Sequence, residues 1–138
     1  MSSRDEREAR THFRERYAIP TAAVSAAIEQ RVIGAVWGAN GYTTVIQADE
    51  LGRRLGLGPG WTLLDVGTGR GWPGLYLAAQ SGCSLIGTDM PLDALSVAAS
   101  RAREEGIDER VALVAAGAAH QPFRPECFDA IVHTDVLC

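Results

Sequence analysis

No stretch of the 138 residues approaches the ~18 consecutive apolar residues of a membrane-spanning helix, and the N-terminal MSSRDEREAR is charged where a secretory leader would be apolar. Basic charge is not in excess either. Thirteen Lys and Arg stand against 17 Asp and Glu, a net charge of −4, so the electrostatic footprint of a nucleic-acid binder is missing. Cysteine is scarce: Cys83, Cys127 and Cys138 are odd in number and lack metal-ligand spacing, which argues against a disulfide framework or a metal site and for a reducing, cytoplasmic setting. Internal repeats and low-complexity segments are absent, and the charges are dispersed as on a solvated surface. What remains is 46% hydrophobic and 22% charged, the composition of a soluble domain able to bury a core.

The most informative stretch is Trp61 to Gly74, WTLLDVGTGRGWPG. Leu63, Leu64 and Val66 form a run short enough for a strand and apolar enough to be buried on both faces, as in central parallel strands. Asp65 interrupts that run, and a lone buried carboxylate is costly unless hydrogen-bonded, so it is expected to fix the turn that follows. Gly67, Gly69 and Gly71 alternate with Thr68 and Arg70, which permits positive φ and close approach of backbone to a ligand. Pro73 suits the start of a helix, and LYLAAQ continues it. The dinucleotide fingerprint G-x-G-x-x-G would need a third glycine where Trp72 stands, which disfavours NAD or FAD.

Upstream, residues 2–18 carry helix-forming charges of both signs with Phe13 and Tyr17 four apart, and Pro20 ends that segment. Thr21 is a candidate N-cap for a second, amphipathic helix with Val24, Ile28, Val32 and Val36 on one stripe, stopping near Gly38. A third helix is expected from about Thr44 to Leu55, with Val45, Ala48, Leu51 and Leu55 facing inward and Gly56 closing it. Residues 1–56 thus read as a helical cap and 57–138 as a sheet domain. His12, on the charged first helix, is expected to be solvated. Downstream, CSLIGTD supplies a strand ending in Asp89, 18 residues beyond Gly71 and close to the ~20-residue spacing of a ribose-binding carboxylate; N-capping of a helix starting at Pro91 is its alternative role. A helix marked by Leu92, Leu95, Ala99 and Ala102, a strand over 111–116, and a fourth strand within FDAIVHTDVLC follow.

LDVGTGRGWPG resembles the first motif of the class I S-adenosylmethionine-dependent methyltransferases, and the match extends well over residues 61–135. The resemblance implies an α/β fold, a Rossmann-like parallel sheet of about four strands here, with helices on both faces and the N-terminal helical cap. It implies S-adenosylmethionine as cofactor, and with the acidic balance and the lack of a spanning apolar run a small-molecule substrate is expected, without nucleic acid or membrane. Asp65, Gly67, Thr68, Gly69 and Gly71 then form the cofactor turn, Asp89 holds the ribose diol, and Met90 lies against the adenine. Where the family usually has an acid for the adenine amino group, this chain has Gly117, so recognition falls to backbone near Ala118 and Ala119, or to His120. Family caps cover the active site and help choose the substrate, which makes Trp37, Asn40, Tyr42 and Gln47 candidates for the pocket mouth; Trp37 and Tyr42 serve equally as packing.

Methyl transfer needs an in-line acceptor and a dry pocket, with a base only when the nucleophile carries a proton. His133 and Asp135, after the fourth strand, are the catalytic candidates, His133 as base for a hydroxyl and Asp135 to orient an amine. The resemblance also implies further strands after the fourth. The fourth is therefore expected to be an unprotected edge at which Ile131, Val132 and Val136 need a partner, either because the chain is truncated or because a second copy completes the sheet as a homodimer. A non-catalytic cofactor-binding half-domain and an NAD-dependent oxidoreductase are the alternative functions.

Overall fold

The computed structural model describes residues 23–39 and 41–136, together with residues 4, 7, 8, 11, 12, 14 and 15 of the first segment, which are helical. Phe13, Tyr17, the proposed cap Thr21, Asn40 and Cys138 lie outside the described residues. Two helices, α1 (Ala23–Ile33) and α2 (Val45–Leu55), precede a parallel α/β unit: β1 (Thr62–Val66), α3 (Gly74–Ser81), β2 (Ser84–Asp89), α4 (Leu92–Glu104), a 3-10 turn at Asp108–Arg110, β3 (Val111–Ala115) and β4 (Ala130–Val132).

Strand order is β3-β2-β1-β4, every pairing parallel. The chain steps outward from β1 to β2 to β3, then returns across to β4 on the other side of β1. That reversal leaves a crevice at the carboxyl ends of β1 and β4, where open parallel sheets place ligands. Leu63 pairs with Leu85 and Ala130, and Asp65 with Gly87 and Val132, so these residues share one face. The buried cluster is built there, from Leu63, Leu85, Ala130 and Val132 together with Leu75 and Ala78 of α3, Ala98 and Ala102 of α4, Ala48 of α2 and Ile33 of α1.

Local chemistry accounts for the elements. Thr44 and Gln47 form a reciprocal capping box on α2, each side chain accepting the other's backbone N–H, and Gly56 ends the helix at φ 65°. Gln47 is thereby committed to the cap and does not reach the pocket mouth as expected. Helix α1 departs further from expectation. It stops at Ile33, where Gly34 takes φ 88°, rather than near Gly38. Its stripe of Val24, Ile28 and Val32 is exposed (71%, 59% and 53%), and the buried residue of the helix is Ile33. The cause is Glu29. Its carboxylate accepts the backbone N–H groups of Trp37, Gly38 and Ala39 at 2.8, 3.0 and 2.9 Å, so the charged side of the helix, rather than the valine side, holds the following loop.

The fourth strand is shorter than expected, ending at Val132, with His133, Thr134 and Asp135 beyond it. Of the three residues expected to lack partners, Val132 is buried and Val136 packs beside Gly67; Ile131 is the exposed one.

Candidate functional site

At the crevice the turn after β1 is tied to the end of β2. Gly67 and Thr68 donate their N–H groups to the Thr88 carbonyl at 2.8 and 2.9 Å, and Gly69 donates to Asp89 Oδ2 at 2.7 Å. Met90 N–H donates to Asp89 Oδ1 at 2.7 Å. Gly67, Gly69 and Gly71 all have positive φ, at 74°, 55° and 99°. At Gly67 the glycine is also required by space, since a Cβ would come 2.5 Å from the Val136 side chain. Capping of the next helix, the alternative role for Asp89, is not seen: α4 starts at Leu92 after Pro91, with no side-chain cap.

Asp65 lies beneath this turn, fully buried. Its Oδ2 accepts from the Thr68 hydroxyl at 2.8 Å and from Gly74 N–H at 3.1 Å, joining the turn to the start of α3. Gly74 has no room for a side chain because a Cβ would run into that carboxylate. Burial pushes the Asp65 carboxyl up to about 7; the two hydrogen bonds oppose burial, and the nearby Asp89 charge adds to it. Burial also raises Asp89, against the pull of the Gly69 and Met90 N–H groups.

A cleft of about 570 Å³ opens over these groups. Gly67, Thr68, Gly69, Asp89, Met90 and Ala118 line it, as do Thr134 and Asp135. Gly71 and Asp65 support the turn from below and do not line the cleft. His133 is exposed and does not line it either, because the chain leaving β4 turns Thr134 and Asp135 toward the cleft instead. His12, expected to be solvated, is exposed and borders the cleft. Asp135 takes φ 57°, and its Oδ2 accepts from Tyr42 N–H (3.1 Å), Thr43 N–H (3.2 Å) and the Thr43 hydroxyl (2.9 Å). It latches the loop between α1 and α2 over the end of β4. Tyr42 lines the cleft and stays exposed, whereas Trp37 packs away from it.

Sequence reasoning missed how firmly that loop is held. Trp72 donates from Nε1 to the Thr43 carbonyl at 2.9 Å, and its buried ring packs at a tilt against Trp37 and Tyr76 at centroid distances of 5.6 and 5.3 Å. Arg70 donates to the Gly38 carbonyl at 3.3 Å, and Arg101 donates to the Trp37 carbonyl while lying over the Trp37 ring. A signal for part of this was present: an arginine between two glycines of a tight turn has a partner to find. Glu29 and Arg101 carried no such mark, since their roles depend on contacts far along the chain.

The arrangement at Asp89 can accept a ribose diol. Each Asp89 oxygen accepts one backbone N–H and keeps a further acceptor site, which leaves two for the vicinal hydroxyls of a ribose. The glycine turn lies beside it, and at Gly67 and Gly71 an added Cβ would run into the Val136 and Leu75 side chains, so the turn holds this close packing only with glycine. Among the described residues no group of three or more His, Cys, Asp or Glu is placed to hold a metal ion, and no helix is long and apolar enough to cross a membrane.

A family profile described as "Methyltransferase domain" matches residues 63–138. Methyltransferase GfsG of Streptomyces halstedii is 37% identical over 83 residues, covering 60% of this chain and 30% of that protein. Among solved structures, a SAM-dependent methyltransferase from Thiobacillus denitrificans in complex with S-adenosyl-L-homocysteine superposes with a TM-score of 0.58 at 27% identity, over 65% of this chain and 36% of that one. A geranyl diphosphate methyltransferase in complex with GPP and sinefungin gives 0.59 at 32%, over 64% and 33%. The chain therefore spans about a third of the length of these relatives. It belongs to the methyltransferase-domain family and has the Rossmann-like α/β fold of the SAM-dependent methyltransferase it superposes on.

Proposed function

We propose that this chain forms the cofactor-binding part of an S-adenosylmethionine-dependent methyltransferase acting on a small, largely apolar molecule. The observation that carries the reading is the Asp89 carboxylate at the carboxyl end of β2, held by Gly69 and Met90 N–H groups beside the glycine turn and lining the cleft. In this reading Asp89 accepts the two ribose hydroxyls, the Gly67–Gly69 backbone faces the amino-acid end, and Met90 and Ala118 flank the adenine. Asp65 and Gly71 shape the turn without touching the ligand.

The bound cofactor supplies an electrophilic methyl group. The chain's part is to exclude water and to aim an acceptor along the line of attack. Tyr42, Trp72 and Val136 give the acceptor side of the cleft an apolar lining, and Thr134 and Asp135 add polar groups. The likeness to an enzyme named for geranyl diphosphate, whose prenyl chain is apolar, supports an acceptor with an apolar portion. Asp135 acts first through the loop it latches. His133 keeps no part in this reading, because it stands outside the cleft. The free thiols of Cys83 and Cys127 support a cytoplasmic setting.

The test is a calorimetric titration of S-adenosylhomocysteine into the chain and into Asp89→Ala. Loss of the charge-assisted hydrogen bonds should weaken binding by about 1.5–3 kcal/mol. Equal affinity in the two proteins would remove Asp89 from the site, and no binding by the folded chain would remove the cofactor.

A further inference from the structure

The segment that follows β4 faces two ways. Val136 packs against Gly67 of the glycine turn, whereas the Asp135 carboxylate reaches out to the loop between α1 and α2. That loop is tied at two places. Its start, Trp37 to Ala39, is held by Glu29, Arg70 and Arg101. Its end is gripped from two sides: Trp72 donates to the Thr43 carbonyl, and Asp135 Oδ2 accepts the Tyr42 and Thr43 N–H groups and the Thr43 hydroxyl. The peptide N–H of Tyr42 itself is thus held by Asp135.

Two backbone positions fit this grip. Asp135 takes φ 57°, a left-handed conformation that Gly, Asn and Asp adopt most readily. Gly41 does not take a positive φ, yet an added Cβ there would run into the Asp135 carboxylate, so glycine is required by space alone. The close approach is built from both sides.

What the grip places is Tyr42. Its ring is 80% exposed and lines the cleft with Trp72 and Val136, so neighbouring packing does little to decide where it stands. A side chain that projects into open space from a fixed peptide is aimed by that peptide. In the cofactor reading the sulfonium lies between the diol on Asp89 and the amino-acid end at Gly67–Gly69, and its methyl group faces the side of the cleft that Tyr42 and Val136 line. Direct displacement gains most from holding the acceptor in line with that methyl group.

We infer that Asp135 is a positioning residue: through the N–H groups of Tyr42 and Thr43 it fixes the Tyr42 ring as the wall of the acceptor side, against which an apolar acceptor is laid next to the methyl group. The inference rests on the cofactor reading above. It assigns the carboxylate to the loop instead of to an acceptor amine.

The experiment uses S-adenosylmethionine with an isotope-labelled methyl group and compares the unmodified chain with Asp135→Gly and Asp135→Asn. Both replacements tolerate the left-handed backbone, but only asparagine keeps a side-chain oxygen for the loop. The readings are calorimetric affinity for S-adenosylhomocysteine, amide hydrogen exchange at Tyr42 and Thr43 relative to Leu63 in the core, and the nuclear Overhauser contact between the labelled methyl group and the Tyr42 ring. The unmodified chain should show the contact. In Asp135→Gly the exchange should quicken ~10-fold or more, the equivalent of one charge-assisted hydrogen bond, and the contact should vanish, while affinity stays within about threefold. Asp135→Asn should keep the contact. Gly41→Ala, which forces the loop off the carboxylate without altering Asp135, should reproduce Asp135→Gly and carries the test if that variant does not fold. A folded Asp135→Gly or Gly41→Ala with unchanged exchange and an intact contact overturns the inference and leaves the cofactor reading standing. So does absence of the contact in an unmodified chain that binds the cofactor. Failure of the folded chain to bind either nucleoside overturns both.

Discussion

The two faces of the sheet are built from the same four strands and similar apolar residues, yet they have different fates. On one face Leu63, Leu85 and Ala130 stand side by side, at 0%, 1% and 7% exposure, under the helices. On the other, the row through Leu64, Ile86, Ala112 and Ile131 passes from 4% at the centre to 56% at Ile131, and none of its members joins the buried cluster. Apolar strand residues are a capacity for burial. Whether it is used depends on what the chain brings over each face. The candidate site follows the filled face: Asp65 shares it with Leu63, and its two hydrogen bonds carry that rigidity into the turn that holds Asp89.

The comparison is broken most directly by emptying the filled face. Leu63→Ala should cost about 2–5 kcal/mol in urea unfolding, because the removed atoms leave a cavity that close packing cannot collapse. A cost below ~1 kcal/mol would mean the face is loosely packed. Next comes pH. A carboxyl raised from 3.8 to about 7 in the folded state holds its proton more tightly there than when unfolded, so stability should fall as pH rises from about 4 through about 7. Asp89, raised in the same direction, adds to that slope. Melting temperatures across this range should show Asp65→Asn with a shallower decline than the unmodified chain; parallel curves would place the titration elsewhere. Thr44→Ala, which opens the capping box and loosens the helix that seats Ala48 on the filled face, should cost about 1 kcal/mol by the same unfolding measurement. The smallest effect belongs to the other face: Ile131→Thr should stay within ~0.5 kcal/mol, and a larger loss would show that Ile131 is covered in solution.

The strand, turn and helix from Trp61 to Gly74 were legible because each step is local. Glycine alone takes the φ values at 67, 69 and 71, Thr44 and Gly56 announce the ends of α2, and Asp89 stands at the spacing a ribose carboxylate requires. The helix α1 was legible as a helix but not in its orientation. Its apolar period gave Val24, Ile28 and Val32 as the inward stripe, and the Glu29 carboxylate, meeting three N–H groups 8 to 10 residues away, turned the other side to the loop. At the site, His133 and Asp135 were indistinguishable as sequence. A backbone reversal at Asp135 sends one toward the cleft and leaves the other outside it.

By itself, then, the sequence determined local backbone: where α2 begins and ends, where glycine permits the turn, and which acid ends the second strand. These rest on dihedral preference and on hydrogen bonds within a few residues, which any chain with this local order satisfies. The tertiary structure alone decided which apolar surfaces are covered, that Trp72 and Arg70 bind the loop between α1 and α2 to the glycine turn, and that Asp135 binds the same loop to the end of β4. Each of those depends on groups that lie far apart in the chain and meet only after the sheet has formed.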